Sequence, residues 1–267
     1  MELTTFASGS TGNCALVSTG QTRVLIDAGI SFLKLKTFLN DLGCAPEALS
    51  GVLITHEHSD HIKGLSTLVK RTELPVFAPR RVATELWRRL PETDGCVQVV
   101  PVDEPFFLGE LRVTAFETPH DTPQSVGYRF DDPSGSAAVC TDLGHVPESV
   151  RAALAGVDTA LIECNHDITR LKLGPYPVSL KRRILSDHGH LCNEVCGELA
   201  VFLARQGAKT LVLGHISKEC NTPDKALKVV GSALDAAGCG GVALYAAPAE
   251  GLLRVPVKGG EPCLRSN

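Results

Sequence analysis

What this chain lacks narrows what it can be. It has no surplus of positive charge: 26 Lys and Arg face 30 Asp and Glu, a formal net charge of -4. It therefore has no overall electrostatic footprint for nucleic acid, and a polyanion would have to meet a local basic patch. No uninterrupted apolar run reaches membrane-spanning length, and the opening MELTTFASGSTG has no positively charged stretch leading into an apolar core and cleavage site. No membrane partner is expected, and the cytoplasm is the expected address. A compact cysteine framework is also missing. The ten cysteines are scattered from Cys14 to Cys263, which favours free thiols in a reducing compartment over disulfides. Cys192 and Cys196 stand one helical turn apart, but no second pair is spaced to complete a tetrahedral metal site, so they read as ordinary helix residues. Finally, no low-complexity linker divides the chain. Its 267 residues, 43% of them hydrophobic, suffice for a substantial core, and a single domain over residues 1–267 is expected.

What is present is an alternation of short β-like runs and amphipathic helices. LTTFA, CALVS, TRVLIDAG and GVLITH read as strands broken by Gly, Asn and Ser turns, with a helix over SFLKLKTFLNDLG before the last of them. IKGLSTLVKRT and PRRVATELWRRLPE read as helices around the strand LPVFA. The middle returns to strands in CVQVVP, LRVTAFETPH, SVGYRFDD and SAAVCTD. Further on, helices over VPESVRAALAG, VSLKRRILS, NEVCGELAVFLARQG and TPDKALKVVGSALDAAG alternate with strands DTALIEC, AKTLVLGH, GVALYAAP and LLRVPV. The pattern predicts an α/β fold in which two sheets pack together and helices cover their outer faces.

One stretch carries the chemistry. In GVLITHEHSDHIKG, His56, His58, Asp60 and His61 fall within six positions after an apolar strand. In an extended segment His56 and His58 project to one side, while Asp60 and His61 open the following helix. Two imidazoles can then aim at one metal, and a carboxylate plus an imidazole at a second. Two metals need further ligands, and His120, Asp142 and His215 each end a later strand. The assignment that balances puts His56, His58 and His120 on one divalent ion and Asp60, His61 and His215 on the other. Asp142 is shared between them, since its two oxygens can face two cations. Neither coordination sphere is then filled by protein, which leaves room for water. The donors are all nitrogen and oxygen, which admits Zn, Mn or Fe.

The order THEHSDH, TPHDTPQSVGY, CTDLGH, LGHIS resembles the metallo-β-lactamase superfamily. That resemblance extends over nearly the whole chain and implies a four-layer αββα sandwich carrying a two-metal site. More narrowly, FASGSTGNCALVSTG, LIDAGIS, ECNHDITRLKLGPYPVSLKRRILSDHGHLCN and LGHISKECNTP look like the YycJ/WalJ group of small metallohydrolases, described as 5′ to 3′ exonucleases acting on DNA. Zinc β-lactamases usually place a cysteine on the second metal, where this chain offers Asp142. Cys140 lies two residues before Asp142 on the same strand.

The resemblance also directs attention to possible substrate contacts. Ser10 and Asn13 in SGSTGN can donate to a phosphate or orient a ligand, although a plain hairpin loop would look the same. Asn165 and His166 follow a strand and can reach the same rim. His190 in SDHGH is placed to position a phosphate or protonate the leaving oxygen. Arg170, Lys172, Lys181, Arg182 and Arg183 surround Tyr176, so this segment can bind backbone phosphates and stack a base, or form only a solvated helix face. The implied activity is hydrolysis of a phosphodiester in DNA with a free 5′ end, with Asp60 orienting the nucleophile. Two alternatives stand beside it: hydrolysis of a small phosphodiester or thioester on the same metals, and a metal-stabilised regulatory protein without catalysis. The oligomeric state is left open.

Overall fold

The computed structural model describes residues 1–258 and 262–265. Two mixed sheets stack face to face. In spatial order the first holds β15 (Cys263–Arg265), β14 (Leu252–Pro256), β1 (Glu2–Ala7), β2 (Cys14–Ser18), β3 (Arg23–Ile26), β4 (Gly51–Leu53), β5 (Val76–Ala78) and β6 (Val97–Val99). The second holds β13 (Ala243–Ala246), β12 (Thr210–Gly214), β11 (Thr159–Glu163), β10 (Gly135–Cys140), β9 (Val126–Asp132), β8 (Leu111–Glu117) and β7 (Pro105–Leu108).

Alternation along each strand builds three apolar layers. Val17, Val24 and Ile26 point between the sheets toward Val139, Leu161 and Val212. Their neighbours Leu16 and Leu25 face α1 (Phe32–Asp41), α3 (Leu65–Thr72) and α4 (Arg80–Arg89) through Leu35, Phe38, Leu68 and Leu86. On the far side Ala160, Ile162, Leu211 and Leu213 face α5 (Glu148–Leu154), α8 (Asn193–Arg205) and α9 (Pro223–Ala236). Strands apolar on both faces need cover on both faces, which the helices supply. The result is the αββα sandwich. Tyr128 is wholly buried between the sheets, and its hydroxyl donates to Ile54 O at 2.8 Å, stitching the second sheet to the first.

The strand directions position the site. β3 through β6 run parallel to one another, as do β10 through β13, and β8 shares the direction of β10 because both are antiparallel to β9. Loops at the carboxyl ends of these strands are where ligand sites of such sheets form.

Two local departures from the sequence reading have clear causes. The helix expected over residues 62–72 is broken into α2 (Ser59–Ile62) and α3 at Lys63 and Gly64. There the chain crosses the Ala28–Ile30 backbone so closely that a Cβ on Gly64 would lie 1.9 Å from Ile30 O. The strand expected through Gly29 stops at Ile26, because Asp27 adopts a left-handed backbone with φ 58°. The helix expected over residues 178–186 forms as α7 (Val178–Ile184), and a helix that was not expected, α6 (Ile168–Leu173), precedes it after β11. Asp167 caps α6, accepting from Arg170 N at 2.7 Å.

Candidate metal centre

Six strand ends deliver the polar groups. β4 leads into the buried His56 and His61, with the partly buried His58 between them; β8 leads to His120, β10 to Asp142, β11 ends on Glu163 and β12 leads to His215. β3 ends at Asp27. Asp27, Asp142 and His215 all sit in left-handed backbone, at φ 58°, 60° and 51°. That conformation costs a non-glycine residue on the order of 1–3 kcal/mol and persists where surrounding bonds impose it.

The side-chain atoms able to ligate fall into overlapping clusters: His56, His58 and His120; Asp60, His61 and His215; and His56, His61 and Asp142 between them. The three imidazoles of the first cluster stand with ring centroids 4.6 to 5.1 Å apart. Asp142 Oδ2 is 3.3 Å from His61 Nε2, while its Oδ1 is 3.5 Å from His215 Nε2 and 3.8 Å from His120 Nε2. Asp60 Oδ2 lies 3.5 Å from His61 Nε2 and 3.6 Å from His215 Nε2. A fourth cluster joins Glu163 and His190 to Asp142 and His215.

Divalent cations fit this donor set. His56 Nε2, His120 Nε2, His215 Nε2 and Asp142 Oδ2 are buried without a hydrogen-bond partner. Unpaired buried polar atoms are costly, so four of them aimed at one space call for a cation there. The far sides of the rings are tied down. His61 Nδ1 is 2.7 Å from Asp27 Oδ2, and His215 Nδ1 is 2.7 Å from Glu163 Oε1. A carboxylate on Nδ1 fixes the tautomer that keeps a lone pair on Nε2.

Charge points the same way. Burial pushes the His56 imidazole well below its usual range, helped by His61, and burial also lowers His58 and His120. All three are thereby neutral and carry lone pairs. Burial works in the same sense on His61 and His215, but Asp142 and Asp27 override it at His61, and Asp142, Asp60 and Glu163 raise His215 to about 10. Burial likewise opposes ionisation of Asp142, yet His215 and His61 hold its carboxyl well below the carboxylate range. The pocket thus demands positive charge.

The sequence model of the Beta-lactamase superfamily domain matches residues 22–216. The chain belongs to the metallo-β-lactamase superfamily. Within it, the chain is 33% identical over 248 residues to the exodeoxyribonuclease YycJ of Bacillus anthracis, covering 90% of this chain and 91% of that protein. It is 35% identical over 223 residues to the exodeoxyribonuclease WalJ of Streptococcus pneumoniae, covering 82% and 83%. In fold it is similar to YhfI of Bacillus subtilis, a metallo-β-lactamase fold protein, with a TM-score of 0.72 at 18% identity, covering 95% of this chain and 99% of that one. With that superfamily fold and this nitrogen and oxygen donor set, the chain has the build of a metal-binding hydrolase. Among the described residues no cysteine enters a cluster; Cys140 turns into the layer between its sheet and the helices, and burial raises its thiol.

The residues expected to touch substrate differ in where the fold puts them. Asn13 is buried: its Nδ2 lies 3.0 Å from His61 Nε2 and 3.2 Å from Asp60 Oδ2, so it braces the centre, while Ser10 is exposed on the same turn. Asn165 donates to His215 O at 2.9 Å and likewise braces it. His166 is buried with neither ring nitrogen paired and joins no cluster. His190 Nδ1 lies 2.8 Å from Glu163 Oε1, and its ring stands 5.1 Å from His120 and 5.0 Å from His215. On α6 and α7, Arg170, Lys172, Arg182 and Arg183 are exposed, Lys181 donates to Lys172 O, and Tyr176 packs half-buried on Leu171 and Ile184. Arg183 pairs with Asp121, the neighbour of His120, which ties α7 to the centre.

Three carboxylates that the sequence pattern does not single out stand around the centre. Glu163 is wholly buried; its Oε1 takes His190 and His215, and its Oε2 accepts from Leu143 N at 3.1 Å and Leu191 N at 3.0 Å. Burial opposes its charge, but His190 and His215 hold it at about 2. Asp27 accepts from Thr55 N and Thr55 Oγ1, both at 2.8 Å, besides His61. Glu57 is buried and meets Arg89 and Thr122, joining the His56–His61 loop to the one after His120. For Glu163 and Asp27 the signal, a weak one, lies in ALIEC and VLIDAG: a lone carboxylate closing an apolar strand must find donors.

Proposed function

We propose that the protein hydrolyses phosphodiesters in nucleic acid, as a 5′ to 3′ exonuclease on DNA. The observation that carries this reading is the pair of three-residue clusters joined through Asp142, with unpaired Nε2 atoms facing one space. The names of the relatives supply the polymer and the word exonuclease.

His56, His58 and His120 would hold one cation, Asp60, His61 and His215 the other, and Asp142 both. Such cations, when bound, supply Lewis-acid charge at the phosphoryl oxygens and lower the pKa of a water. The chain's own groups do the rest. Asp60 is the least buried of these carboxylates, at 22% side-chain exposure, which supports its accepting a hydrogen bond from the attacking water and orienting it. His190 keeps Nδ1 on Glu163 and is 16% exposed, so its other nitrogen is available to protonate the leaving oxygen. The exposed cations of α6 and α7 are suited to backbone phosphates and Tyr176 to a base.

Metal-loaded protein incubated with 5′-labelled single-stranded and duplex DNA and RNA tests this. Release of labelled mononucleotide from DNA, abolished by chelator, is expected. Absence of metal-dependent cleavage on every polymer would refute the reading. Because the net charge is acidic, small phosphodiesters are the rival substrate, and only polymer binding weakens steeply with salt.

A further inference from the structure

The Ser8–Asn13 turn borders a second cationic feature. A cavity of about 280 Å³ is lined by Thr11 and Gly12 of that turn and by Lys34, Lys63, Lys218 and Glu250. The three lysines come from separate elements: Lys34 from α1, Lys63 from the end of α2, and Lys218 from the loop after β12. All three are exposed. Glu250 pairs with Lys34 at 2.6 Å. Lys63 donates to Thr11 O, which fixes the ammonium without neutralising it. Among the described residues no carboxylate pairs with Lys63 or Lys218. Three ammonium groups against one carboxylate leave an excess of two positive charges in a concave space, where a field is focused rather than screened.

Three short stretches of chain lead from the cavity's lining to the metal centre. Asn13, next to Gly12, reaches His61 and Asp60; Lys63 follows His61 by two residues; Lys218 follows His215 by three. The cavity therefore adjoins the Asp60, His61 and His215 side, whereas Arg183, through Asp121, adjoins the His120 side.

We propose that this cavity binds a backbone phosphate of the nucleic-acid strand whose scissile linkage lies at the metal centre, with Lys34, Lys63 and Lys218 as its cations. Lysine serves phosphate as a point charge needing no fixed bidentate geometry. A strand carries one phosphate per ~3.4 Å of helix axis, so a strand held at the centre presents further phosphates to its surroundings. Glu250 acts against this site by occupying Lys34.

The inference rests on the phosphodiesterase reading, and the experiment separates the two. Parent, Lys34→Ala/Lys218→Ala and Glu250→Gln proteins, metal-loaded, are titrated with a fluorescent single-stranded phosphorothioate DNA at several salt concentrations. In parallel they are assayed on unmodified DNA and on bis(4-nitrophenyl) phosphate. The double variant is expected to bind DNA about tenfold more weakly, with a salt slope shallower by about 1.4 for two lost contacts, and to keep parent turnover of the small diester. Glu250→Gln is expected to tighten binding. Parent cleavage of DNA with unchanged affinity and slope in the double variant would overturn the inference and leave the phosphodiesterase reading intact. Parent failure to cleave DNA would overturn that reading instead. Competition by inorganic phosphate, lost in the double variant while DNA affinity is unchanged, would assign the cavity to free phosphate and also overturn the inference.

Discussion

Replacing Glu163 with Gln changes one oxygen to an NH2 group and tests how the centre is kept in order. Every partner of Glu163 is a donor, and the two oxygens divide the work: Oε1 serves His190 and His215, Oε2 the backbone of Leu143 and Leu191. A glutamine must turn its NH2 toward one of these pairs. Facing the backbone, it leaves two buried N–H groups unpaired, at about 1–3 kcal/mol each, and they have no other state. Facing the imidazoles, it can be accommodated, because each ring can move its proton to Nε2 and accept at Nδ1. The second orientation should win. On His215 the displaced proton then sits on Nε2, the atom 3.5 Å from Asp142 Oδ1 and 3.6 Å from Asp60 Oδ2, and blocks it as a ligand. Loss of such a supporting carboxylate typically costs about 10- to 100-fold in metal affinity, or about 1.4–2.7 kcal/mol. Competition with a chelator of known affinity measures the loss, and nitrogen-15 NMR of the imidazoles identifies the tautomer. A Glu163→Gln protein that holds its metals as tightly as the parent, with His215 still protonated at Nδ1, would refute the reasoning.

Asp142→Ala should lower bound metal toward one ion or none and abolish hydrolysis, since both sites lose a ligand; two tightly held ions by metal analysis would contradict this. His190→Gln should slow cleavage of DNA, whose leaving alkoxide needs a proton, by about 10²- to 10⁴-fold, yet barely affect an aryl diester with a good leaving group. Equal losses on both substrates would exclude a general-acid role. Arg170→Ala/Arg182→Ala should leave metal content unchanged while DNA affinity falls and its salt slope becomes shallower; an unmoved slope would mean a solvated face. Burial lowers His166 to about 4, so below the usual imidazole pKa the unfolded chain takes up a proton that the folded one refuses. Stability should fall from about pH 6.5 and the loss be complete below about 4, amounting to about 3 kcal/mol. In His166→Leu that acid loss should shrink by the same amount in denaturant titrations, and an unchanged pH profile would refute the assignment.

The layered fold was legible because alternation and helical periodicity are local properties, and nearly every strand carries its own pattern. So were the groups that converge at the centre, since His120, Asp142 and His215 each close an apolar run, the signature of a strand ending at a rim. Glu163, Asp27 and Glu57 were at most weakly legible. Their importance lies in partners 20 to 65 residues away, such as Leu143 and Thr122, which only the folded chain brings near. The same holds for the Lys34, Lys63 and Lys218 cavity, assembled from three distant elements. Asn13 and Asn165 show the converse: their positions beside the centre were anticipated, but the direction of their amides, inward onto His61 and His215, was set by packing.

The most direct test is anomalous scattering from crystals of the metal-loaded protein with a phosphorothioate DNA strand. Two metal peaks are expected, one among His56, His58 and His120 and one among Asp60, His61 and His215, with Asp142 contacting both and a backbone phosphate between them. A single peak, or a strand whose phosphates approach neither metal, would contradict a dinuclear phosphodiesterase.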